Sequence, residues 1–137
     1  TSVSVRTTDQ PELTVDAARS DWDLASRVVR FEGDVVATRG SVSLTCETLT
    51  VHYADEQRVE RAEAQGMVVV RRGARVARSA QAVLHVDSGE VVLTGAPSLS
   101  EGASQMAGER IVLFLDDDRV ECERCRLVVA GDAVAPR

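Results

Sequence analysis

"GDVVATRG" occupies residues 33–40, two valines and a polar tail framed by a glycine at each end. The frame returns as "GMVVVRRG" at 66–73 and as "GAPSLSEG" at 95–102. With the three first glycines in register, Phe31, Ala64 and Leu93 stand two positions before them, and Val35, Val68 and Pro97 two positions after. Beyond the second glycine, Leu44 aligns with Met106, Leu49 with Ile111 and Val51 with Leu113; the middle copy needs two extra residues to bring Leu84 and Val86 into line. A partial fourth copy starts at "RVECERC", residues 119–125, with Cys125 in the glycine position. The unit is roughly thirty residues long, a period typical of stacked supersecondary units that share a continuous core.

Inside each unit the apolar residues alternate with polar ones, the period of half-buried strands. Leu13 and Val15 alternate, as do Val29, Phe31 and, after the glycine, Val35. The same holds for Leu49, Val51 and Tyr53, for Val68 and Val70, for Leu84 and Val86, and for Ile111, Leu113 and Leu115. Polar turn chemistry separates the runs: "ADEQ" at 54–57, "DSGE" at 87–90 and "DDDR" at 116–119. Helix signals are nearly absent, so the chain reads as all-β. A glycine within a strand pattern marks a bend, a bulge or a close backbone approach. Two per repeat predict two bends at equivalent corners of every layer, with the stacked layers folding over into two facing sheets.

The 137 residues favour one domain, predicted over 1–137 with flexible ends at 1–8 and 131–137. Apolar residues make up 44% of the chain but aromatics only 3%, so the core chemistry is valine, leucine and alanine. A net charge of −6 argues against a nucleic-acid partner and against simple attraction to anionic membrane. No apolar run approaches the ~20 residues of a spanning helix.

Few residues offer chemistry. Cys122 and Cys125 form a C-x-x-C pair within a strand pattern, where about 3.3 Å of rise per residue would hold their Cα atoms about 10 Å apart. A disulfide tolerates about 7 Å. Either the chain turns there and the cysteines bridge, or the strand runs on and the thiols stay separate. His52 and His85 fall on the outward face, away from the cysteines, so a zinc site lacks convergent ligands. Cys46 occupies the place of Gly108 in the third copy and reads as a small buried residue. The acidic run 116–118 lacks calcium-loop spacing, and no nucleophile elbow or histidine base is present. No cofactor is expected and no enzyme activity is supported. Arg71, Arg72, Arg75 and Arg78 form the one basic cluster, which offers charge to lipid phosphates but reads more strongly as a solvated hairpin tip, and Trp22 reads as a side chain packed over the first layer.

The segments "VVRFEGDVVATRGSVSLTCETLTV" (28–51) and "ARSAQAVLHVDSGEVVLTGAPSLSEGASQMAGERIVLFL" (77–115) resemble the LptA/OstA-like periplasmic lipopolysaccharide-transport family. The pattern F-x-G-N-V-x-V-x-x-G is matched at Phe31, Gly33, Asp34, Val35, Ala37 and Gly40, with Asp34 for the usual asparagine. V-V-L-T-G stands intact at 91–95, and "DQP" at 9–11 resembles the start of the mature domain. The resemblance implies a twisted, slightly open β-jelly roll, located in the periplasm after loss of a signal peptide, with a role in outer-membrane biogenesis. It also implies that the interior holds the acyl chains of lipopolysaccharide. The groove would then be lined by Leu13, Val15, Phe31, Val35, Leu49, Val51, Val68, Val70, Leu84, Val86, Leu93, Ile111 and Leu113. Its partners would be LptC-like and LptD-like proteins and further copies of itself, joined head to tail through edge strands expected at 11–17 and 120–129. An LptC-like domain or the N-terminal domain of an LptD-type protein shares the pattern. A structural or adhesive β-repeat without lipid is the alternative of another class, and it predicts a tightly packed interior.

Overall fold

The computed structural model describes residues 2–5, 13–55, 58–117 and 119–129. They form thirteen strands and no helix. In chain order these are β1 (Ser2–Val5), β2 (Leu13–Asp16), β3 (Arg19–Asp23), β4 (Val28–Arg39), β5 (Val42–Asp55), β6 (Arg58–Arg72), β7 (Arg75–His85), β8 (Glu90–Thr94), β9 (Ser98–Glu101), β10 (Ser104–Ala107), β11 (Arg110–Phe114), β12 (Arg119–Glu123) and β13 (Arg126–Val129). All pairings are antiparallel.

Each layer serves two walls. The first wall runs β1, β2, the second half of β4, the first half of β5, the second half of β6, the first half of β7, β9, β10, β13. The second runs β3, the first half of β4, the second half of β5, the first half of β6, the second half of β7, β8, β11, β12. β4 to β7 are long enough to cross from one wall to the other, whereas β2/β3, β8/β9, β10/β11 and β12/β13 break at the crossing. Among the described residues the end strands do not pair with one another, so the sheet stays open.

The two glycines of each frame have different tasks. The first makes the corner. Gly33, Gly66 and Gly95 have φ of +86°, +87° and +82°, and the next residues, Asp34, Met67 and Ala96, are left-handed too. The β4 ladder jumps from Glu32 to Val35 and the β6–β7 ladder from Gln65 to Val68, so two residues bulge where the partner strand bends. The second glycine turns the hairpin. Gly40, Gly73 and Gly102 have φ near +60° and lead the two-residue connections of β4–β5, β6–β7 and β9–β10. Glycine at the first central position is the signature of a II′ turn, whose twist matches the strands it joins. The expectation of two bends per layer is therefore corrected to one bend and one hairpin.

At the fourth corner the same shape is made differently. Arg124 takes φ +53°, the strand is interrupted, and Cys122 and Cys125 approach to a Cα–Cα distance of 5.9 Å and are bridged. A Cβ on Gly108 would lie 2.6 Å from Cys125 Sγ and 2.7 Å from Cys122 Sγ, so the disulfide fills the space that glycine leaves in the neighbouring layer.

One further expectation changes. Residues 2–5 form β1 against β2. β2 consequently lies between β1 and β4 and is not the N-terminal edge. The "DQP" at 9–11 and the end 131–137 lie outside the described residues.

Candidate functional site

The space between the walls is the site the sequence points to. Register pairing lines up the inner faces in rows that run the length of the stack. On the second wall, Phe31, Leu49, Ala64, Ala82, Leu93, Ile111 and Cys122 face one another strand by strand. The neighbouring row is Trp22, Val29, Val51, Ala62, Leu84, Val91, Leu113 and Val120. On the first wall the central row is Val15, Ala37, Leu44, Val70, Ala77, Leu99, Met106 and Leu127. Local chemistry explains the rows: period two puts every second residue on one face, and a one-residue slip would expose the whole apolar set. The aligned frame positions Phe31, Ala64 and Leu93 are thus members of one physical row.

All thirteen residues read as groove lining are buried in this interior. Leu13, Val15, Val35, Val68 and Val70 come from the first wall, and Phe31, Leu49, Val51, Leu84, Leu93, Ile111 and Leu113 from the second, with Val86 at the turn after β7. The interior is closely packed. A void of about 30 Å³ lies among Leu13, Ala37, Leu49, Ala62, Val70 and Leu84, with Arg39, Val42 and Leu115 on one side. That volume is comparable to the share of a single water molecule in the liquid, far below what an acyl chain requires. His52 and His85 lie outside the rows; His52 Nε2 sits 2.9 Å from Glu63 Oε1 on the outer face. Cys46 is buried, and loss of hydration pushes its thiol up to about 11. Among the described residues no three metal-binding side chains converge.

Alternation continued one step past the apolar residues exposes what the sequence reading missed. Val35, Ala37 and Arg39 share a face, as do Val68, Val70 and Arg72, and Arg75 and Ala77. The outermost inner row of the first wall is accordingly Leu13, Arg39, Val42, Arg72, Arg75 and Glu101. Arg72 and Arg75 are half-buried on a lip, not on a solvated tip, while Arg71 and Arg78 are exposed. The lip meets the other wall. Arg72 Nη1 donates to the Leu115 carbonyl at 2.6 Å and Arg39 Nη2 to the Val86 carbonyl at 3.5 Å. Burial pushes the Arg39 guanidinium below its ordinary pKa, and the carboxylate of Asp116 opposes that shift.

The ends of the stack differ from its middle. Trp22 was expected to pack over the first layer. It stands instead at the open end of an inner row on the outermost strand β3, 48% exposed, beside a recess of about 490 Å³ with Leu24, Val28 and Tyr53. Leu127 ends the first-wall row on β13 and is 63% exposed. Among the described residues, β12 and β13 each pair on one side only.

Aliphatic rows between two bent walls, an open sheet and bare end strands define an open β-jelly roll whose interior is built for apolar contact. The chain belongs to the family described as LptA/(LptD N-terminal domain) LPS transport protein, which it matches over residues 14–119. Its fold is similar to that of LptH, the LptA-homologous periplasmic component of the lipopolysaccharide transport device of Pseudomonas aeruginosa. The TM-score is 0.78 at 22% identity, covering 89% of this chain and 96% of that one. No curated protein sequence matches the chain.

Proposed function

We propose that the protein is a non-enzymatic carrier of lipopolysaccharide and serves as one module of a bridge across the periplasm. The observation that carries this reading is the set of continuous, mostly aliphatic rows in the middle of the interior, in a chain of a lipopolysaccharide-transport family. Apolar burial is worth roughly 0.8 kcal/mol per CH₂, so even partly sheltered acyl chains bind without an ion pair. Aliphatic walls accept several chain shapes because they impose no aromatic ring geometry. The packed interior means that the walls part when a chain is taken up. Joining of the C-terminal strands to the first strands of another copy, or to LptC-like and LptD-like partners, extends the rows from one molecule into the next.

One observation favours a second reading. A void of about 30 Å³ is what a structural β-repeat without lipid would also show. Photo-crosslinking separates the two. A photo-reactive residue at Leu84 or Ile111 is expected to label lipopolysaccharide, and one at His52 or His85 is not. Equal labelling at all four, or none at any, would sink the carrier.

A further inference from the structure

The lip arginines sit where apolar interior and solvent meet. A recess of about 310 Å³ opens at the seam, lined by Arg39, Gly40, Ser41, Arg72, Leu115 and Asp116. The interior void reaches Arg39, Val42 and Leu115 from the other side, and the recess shares these residues. The void and the recess therefore adjoin at Arg39, Val42 and Leu115. Two of them belong to the contacts that hold the seam: Arg39 on Val86, and Leu115, whose carbonyl holds Arg72.

We propose that Arg39 and Arg72 form a phosphate site for the head group of an acylated sugar phosphate, and that they clasp the seam when no lipid is present. This rests on the carrier reading above. The guanidinium presents its donors in a rigid fork that fits two phosphate oxygens. Its hydrogen bonds to an anion are shorter and stronger than those to a neutral carbonyl. Parting of the walls draws the Leu115 carbonyl away from Arg72 and opens the passage beside it, so seam release and donor release are one movement. The phosphate then takes the donors while the acyl chains lie along the rows. Asp116 sits in the same recess and opposes an anion there. The chain carries an overall charge of −6, so it offers an anion no general attraction and the fit must come from this lip.

Equilibrium binding on the full chain tests the site, with diphosphorylated lipid A, the same lipid stripped of phosphate, and inorganic phosphate as probes. Arg72→Gln is expected to weaken the phosphorylated lipid about tenfold and leave the stripped lipid unchanged. Asp116→Asn, which removes the opposing charge, is expected to tighten the phosphorylated lipid about twofold to threefold. Arg71→Gln, the same loss of charge on the outer face, should do neither. Equal weakening of both lipids by Arg72→Gln, or equal effects of Arg71→Gln and Arg72→Gln, overturns the site. Saturable binding of inorganic phosphate as tight as that of the lipid, and lost in Arg72→Gln, overturns the lipid assignment in favour of free phosphate. If the unmodified protein binds neither lipid, the carrier reading falls and the site with it; if it binds both equally well, only the site falls.

Discussion

Cys46 shows how the interior acts on a single group. Its thiol lies inside the bend of β5, with Sγ 3.3 Å from the Thr48 carbonyl. Burial favours the neutral thiol over the thiolate, which raises the folded-state pKa from 9.0 to about 11. The sign follows from proton counting: above pH 9 the unfolded chain has lost this proton and the folded one retains it, so stability falls as pH rises. The contribution is fully present below pH 9 and is lost through pH 11, amounting to about 2 to 3 kcal/mol. Urea unfolding of the protein and of Cys46→Ala across that range checks this. The unmodified protein should lose more stability than the variant, and parallel curves would show that the thiol ionises in neither state or equally in both. Arg39 obeys the same physics with the opposite charge, which explains why it was missed. Its residue type advertises a surface, and only its parity with Val35 and Ala37 places it inside.

At the level of the strand, corner and hairpin make different demands on glycine. Gly95 has φ +82°, and an added Cβ would lie 2.5 Å from Ala80 Cβ. Gly73 has φ +61° with nothing within 4 Å. Gly73→Ala should therefore cost about 1 kcal/mol, the left-handed penalty alone. Gly95→Ala adds a steric clash between layers and should cost about 3 kcal/mol. Adding Ala80→Gly to Gly95→Ala should recover about 1 kcal/mol, because the fourth corner already places its glycine in the preceding layer, at Gly108, opposite the disulfide. Equal losses for Gly73→Ala and Gly95→Ala in denaturant unfolding would refute the distinction. The sequence alone does not separate the two roles, since both need positive φ and only the partner strand reveals which is which. The large apolar members of the inner rows, by contrast, were legible, because period two and burial agree at all thirteen positions named from the sequence, whereas the small alanines between them and the arginines at the lip were not. β1 was not. Its four residues carry the same alternation, but a short polar start gives no sign that a partner lies ten residues on. The C-x-x-C pair left two readings open, and the left-handed backbone at Arg124 decides between them.

Across the whole molecule, the strand ladders join each layer only to its neighbours, while Arg39 and Arg72 reach across from one wall to the other, and among the described residues the stack stops without being closed. β13 ends it with Leu127 and Val128 exposed on a strand that, among the described residues, pairs only with β10. Such an edge invites another chain, and the proposed contact with the opposite end of a second copy would be heterologous and would propagate. Concentration-dependent, head-to-tail oligomers are expected in sedimentation. Val128→Pro, by fixing φ and removing a donor, should reduce them while the layers from β4 to β7 stay folded. A strict monomer at high concentration, or oligomers unchanged in the variant, would count against assembly through this edge. The alternation of corners has one more consequence. Left-handed bends occur in β4, in β6, between β8 and β9 and between β12 and β13, and the layers between them bend without one. Each bulged corner sits against a plain one: Gly33 on Ala18, Gly66 on Glu47, Gly95 on Ala80, the disulfide on Gly108. A lone extra strand would set bulge on bulge or plain on plain, leaving a hole or a collision at the fold line. The trough can therefore lengthen or shorten only by whole hairpins, and duplication of a two-strand segment is the natural step by which a longer conduit would arise.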